Sequence, residues 1–159
     1  MLHDVEYDML ILSAKLAPDG DNTICSDESH IANVLLVAGQ LFLLSALRML
    51  PLASRTCAIL QQRLADALDR EDLFAVWTDQ CPIEALLWAT SMGVLVASSG
   101  NASMELLQRH MEEAVRLLQV AGYDDLERIL KSYAWSDHCS VQFERVWNEV
   151  SISGWIMEV

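Results

Sequence analysis

A chain of 159 residues, 53% apolar and 21% charged, with only 6 Gly and 3 Pro, suits one compact domain and excludes a low-complexity tail or two separate cores. Its net charge of −13 is shared by both halves and no window forms a basic patch, so direct contact with a nucleic-acid backbone is not expected. The 4 Cys form no Cys-x-x-Cys pair and residues 1–8 lack a basic leader, which points to free thiols in a reducing compartment.

Apolar positions recur at helical spacing nearly throughout. Residues 5–16 form a first amphipathic segment, closed by the turn-rich Pro18, Asp19, Gly20, Asp21 and Asn22. A second helix is predicted from Ser29, as cap, to about Met49. Residues 31–50 have the length of a membrane span, yet Asn33, Gln40 and Arg48 interrupt them and Pro51 ends them. A buried core helix is the expectation, with no membrane partner.

Pro51 suits the first turn of a third helix, whose Leu60, Leu64 and Leu68 share a face and which should end near Asp69. A short segment with Leu73, Phe74 and Trp77 follows. Pro82, at a first helical position, and Glu84 open a helix running to Ser98, apolar on nearly every side and stopped by Gly100. From Ser103, the positions Met104, Leu107, Met111, Ala114, Val115 and Leu118 define the clearest amphipathic helix, predicted to reach Gly122. Two more should span residues 124–134 and 137–150, capped by Asp124 and Ser136. Their apolar faces carry Leu126, Ile129, Leu130 and Tyr133, then Cys139, Phe143, Val146, Trp147 and Val150. With no sustained two-residue alternation, the fold class is all-α: an irregular bundle of about six or seven helices. It divides into an N-terminal helix and loop (1–28), a helical domain (29–150) and a tail (151–159).

Catalytic and metal chemistry finds little foothold. The chain has no Glu-x-x-His for a helical metal centre, no Gly-x-Ser-x-Gly elbow and no Gly-rich phosphate loop with a Lys. His110 and Glu113 lie one turn apart, but His110 falls at the edge of an apolar face, where a boundary histidine is the plainer reading. The adjacent His138 and Cys139 diverge by about 100° on a helix and do not chelate one ion. Glu112/Glu113 and Asp124/Asp125 diverge likewise. We therefore expect no metal, no cofactor and no catalytic residue. The 5 Trp and 7 Met are many for this length; they either fill an interhelical core or line a surface for a ligand or partner. The candidates for that surface are Trp88, Met92, Met111, Trp135 and Trp147.

One block has a family likeness. The run from Glu84 through Leu86-Leu87-Trp88, Gly93 and Ala97 to Gly100 resembles a recurring apolar helix in the fungal-specific regulatory domain of zinc-cluster transcription factors. The order continues with the helix from Leu106 to Leu118, Gly122, the run from Leu126 through Tyr133-Ala134-Trp135 to Asp137, and Val146-Trp147-Asn148-Glu149-Val150; less specifically, it extends upstream to about Ile31. Met104-Glu105-Leu106 lacks the aromatic residue usual there, and the six-cysteine DNA-binding module is absent, so no zinc ligands carry over. The resemblance implies a C-terminal part of such a domain, non-catalytic, in the nucleus or cytoplasm. It would work through a protein partner, self-association or a small-molecule effector. The alternative from the residues alone is a small-molecule-binding helical protein with an apolar Trp/Met pocket; an enzyme with a dispersed site at His110, His138 or Glu113 ranks third.

Overall fold

The computed structural model describes residues 26–47, 51, 54–96 and 102–150. Among these residues it is all-α, with seven α-helices, 81% helical content and no strands. The helix expected over residues 5–16, its following turn, Gly100 and the tail 151–159 lie outside the described residues.

Helix α1, Asp27–Phe42, starts one turn earlier than Ser29 as cap would place it. Ser26 is the cap: its Oγ accepts from the Ser29 amide at 3.3 Å, while Asp27 and Glu28 set negative charge against the free amides of the first turn. The α-helix gives way to a π-helical turn, Leu43–Leu47, where the Ser45 hydroxyl donates to the Leu41 carbonyl at 2.6 Å. Such back-bonding competes for the carbonyl that the helical ladder would use. The helical run Asp27–Ala46 is long and apolar enough to cross a membrane by length and composition, and 61% of its apolar window is buried inside the fold.

Helix α2, Arg55–Leu68, corrects the expected role of Pro51, which lies outside the helix and whose carbonyl accepts from the Ser54 amide at 2.9 Å. Ser54 caps instead, its Oγ accepting from the Cys57 amide at 3.3 Å. A hydroxyl that satisfies an orphan amide outcompetes a residue whose only asset is a preset φ. The short segment after it is itself a helix, α3, Leu73–Gln80, and α4, Ile83–Leu95, follows with Pro82 one position before its first residue.

Every residue of α4 from Ala85 to Leu95 is buried, as its all-round apolar character requires. It is the central helix: α1, α2, α3, α5, α6 and α7 all pack on it. Gly93 permits the closest approach. A Cβ there would meet Leu64 Cδ2 and Leu107 Cδ1, each at 2.9 Å, so the missing side chain lets α2 and α5 close on α4.

Helix α5, Ala102–Leu117, stops short of Gly122. Gln119 takes the left-handed conformation at φ 53°, and the amides of Gln119 and Val120 return to the carbonyls of Arg116 and Val115 at 3.1 Å each. This pair of bonds closes the helix in the Schellman manner, the Val120 amide reaching five residues back to Val115. Gly122 is extended and sits at the start of α6, Tyr123–Leu130, displacing Asp124 from the cap into the first turn. Residues 131–134 are turns rather than the helix's last turn. Helix α7, Asp137–Val150, has the expected cap: Ser136 Oγ accepts from the Cys139 amide at 3.2 Å.

Candidate functional site

The five residues singled out from sequence divide by burial. Met92 on α4 and Met111 on α5 are fully enclosed in the core, and Trp88 is nearly so. Trp135 and Trp147 are half-buried, against α6 and α7.

Trp88 joins the two groups. Its indole N–H donates to the Ala134 carbonyl at 2.8 Å, and its ring stacks on Tyr133 with centroids 6.1 Å apart and planes 22° from parallel. The residue following Ala134 continues the aromatic chain: Trp135 meets the fully buried Phe143 edge-on at 5.6 Å and 87°, and its indole N–H donates to Ser140 Oγ at 3.1 Å. Both geometries suit the ring quadrupole, which favours offset and edge-to-face contacts. Tyr123, at the first position of α6, donates its hydroxyl to the Ser140 carbonyl at 2.8 Å and lies against Trp147 at 6.3 Å. Trp88, Trp135 and Trp147 thus belong to one connected aromatic end of the molecule, linked through Ala134, Ser140 and Tyr123.

Ser140 is the polar hub of this end. Besides the two bonds just given, its side chain hydrogen-bonds the Glu127 carboxylate, which Lys131 Nζ approaches at 3.2 Å. Those contacts, Ser140 first and Lys131 second, hold the Glu127 carboxyl below the usual carboxylate range. Burial, and then the negative charges of Glu127 and Glu144, push the Tyr123 phenol up to about 12. Burial raises Tyr133 as well, with Glu84 and Cys81 adding to it. The phenols are therefore neutral donors at physiological pH.

Sequence periodicity had placed Tyr133 and Phe143 on apolar faces but gave no sign that they and Tyr123 complete the site; the signal was their concentration between residues 123 and 147. The other chemical candidates remain apart. His110 turns to Phe74, ring centroids 5.9 Å apart, and to the backbone of Leu68, whereas Glu113 pairs with Arg116. Cys139 is buried beneath the Ser136 cap while the neighbouring His138 is half-buried, and among the described residues no three His, Cys, Asp or Glu side chains converge as metal ligands. Compared with known proteins, the chain matches no family model, no curated protein and no solved structure.

Proposed function

We propose that this chain is a non-catalytic regulatory domain, of the kind it resembles in zinc-cluster fungal transcription factors, and that it acts through protein contact at its α6–α7 end. One observation carries the reading. Tyr123, Tyr133, Trp135 and Trp147 are half-buried and joined through Trp88, Phe143 and Ser140 into one end of the molecule, with the polar atoms of Tyr123 and Trp135 already bonded within the domain. Rings in this state offer large, rigid contact area at little cost in desolvated polar groups or rotamer entropy, the property that enriches Tyr and Trp at protein interfaces. The residues that carry the family likeness, Ala134-Trp135 and Trp147, fall at the same end. The charge of −13 favours a protein partner over DNA, and residence in the nucleus belongs to the same proposal.

Tethering tests it. The chain is fused to a heterologous DNA-binding module in yeast, and reporter transcription is compared with that of the module alone at matched expression. A severalfold change in output, in either direction, is the expected result. Equal output from fusion and module alone overturns the regulatory reading.

A further inference from the structure

The corner between α2 and α3 is gripped from two sides by imidazoles. His30, on α1, is buried with its Nε2 enclosed and without a hydrogen-bond partner among the described residues. Around it stand Asp27 of its own helix and, from the corner, Arg70 and Asp72. Arg70 ties these groups together: Nε and Nη2 donate to the two Asp72 oxygens at 2.8 Å each, and Nη2 donates to Asp27 Oδ1 at 3.2 Å. On the other side, His110 of α5 rests on Phe74 and hydrogen-bonds the Leu68 backbone, and its Nε2 is likewise enclosed and unpartnered among the described residues. The charged groups near it are Arg109 on its own helix and Asp69 in the corner.

Between the two rings the corner is a tight turn followed by a short helix. Asp69, at φ −79° and ψ 72°, makes a tight turn in which the Arg70 amide donates to the Leu68 carbonyl at 2.9 Å. Asp72 stands at the cap position of α3 but makes no cap bond, its carboxylate being held by Arg70. Helix α3 is 8 residues long and is anchored by Leu73, Val76 and Trp77, and the buried Trp77 indole N–H has no partner among the described residues.

We propose that this corner is an acid-released clasp: protonation of His30 and His110 frees α3 from the bundle and exposes its apolar face. A neutral imidazole can leave one ring nitrogen bare as a lone pair, whereas an imidazolium has two N–H donors and a charge, and neither enclosed Nε2 has an acceptor at hydrogen-bond distance among the described residues. Burial, reinforced by Arg70 at His30 and by Arg109 at His110, lowers both histidines below the ordinary value of 6.5. Asp27 and Asp72 oppose this at His30, and the Leu68 bond and Asp69 oppose it at His110, without reversing it. Since each folded-state value lies below the unfolded one, the contribution is complete above pH 6.5 and is lost as pH falls beneath it.

Hydrogen exchange on the full chain at pH 7.5 and 5.5, each corrected for the intrinsic rate, reads the clasp directly. Amides of residues 73–80 should lose protection severalfold at the lower pH, while amides of α4 keep theirs. In the double variant His30→Gln/His110→Gln the pH dependence should vanish. Unchanged protection of residues 73–80, an equal loss across the chain, or a pH dependence that survives in the variant overturns the proposal. Should the variant fail to fold, ring-proton titration of the unmodified protein decides. Both histidines should titrate below 6.5 with α3 amide shifts following the same midpoints. Titration of either ring at the ordinary value, or α3 shifts that do not follow, contradicts it.

Discussion

Gln119 holds a left-handed backbone conformation that Gly adopts at no steric cost, and it does so because the two returning amide bonds that end α5 require it. Its side chain is exposed, so replacement removes backbone strain and little packing. Gln119→Gly should therefore stabilise the fold by about 1 kcal/mol, the strain of a non-Gly left-handed residue less the added freedom of the unfolded chain. A denaturant midpoint raised at constant slope is the check. Tyr123 sets a second, chemical limit. Its phenol is raised to about 12 against an ordinary 10, so the folded state keeps a proton that the unfolded state gives up. Stability from this residue is complete below pH 10 and is lost as pH rises from 10 to 12, and Tyr123→Phe should show a shallower alkaline decline in melting temperature than the unmodified chain.

Helix caps are decided within a single turn, and they separate what the sequence shows from what only the fold reveals. Ser26 and Ser29 are both cap-competent, and three residues apart they are interchangeable to any pattern of residue types. The structure selects Ser26, and Ser26→Ala should cost about 1 kcal/mol while Ser29→Ala costs a few tenths, measured by thermal or urea unfolding. The same ambiguity hid Ser54 behind Pro51 and Gln119 behind Gly122. Helix existence was legible because apolar spacing at three and four residues is written in every segment. The π turn at Leu43–Leu47 was not, because the nearly all-apolar stretch of residues 41–47 carries no phase from which a change of helical register can be read. Nor was α3 legible as a helix, since 8 residues offer too few repeats.

At the scale of the whole molecule, one helix organises the rest. The all-round apolar character of α4 marked it from sequence as buried on most sides, and Gly93 lets its neighbours close upon it. The aromatic end was only half legible. Trp88, Trp135 and Trp147 stood out as residue types, but the bond from Trp88 to Ala134 spans 46 residues and depends on how α6 and α7 return to α4. Met92 and Met111 shared helical spacing with the core and are enclosed in it, so the proposed contact rests on the partly open rings between residues 123 and 147. Exposed Ile59 on α2 is a single apolar side chain at 53% exposure, and a scattered residue of this kind calls for no partner.

The measurement that bears most directly on the contact surface is the tethered reporter assay repeated with two variants, each verified as folded by its melting transition. Trp147→Ala removes one half-buried ring from the aromatic end, and Ile59→Ser removes an exposed apolar side chain from α2. The expected result is that Trp147→Ala abolishes most of the fusion's effect while Ile59→Ser leaves it intact. Full effect in folded Trp147→Ala, or equal losses in both variants, would contradict the assignment of regulation to the α6–α7 end.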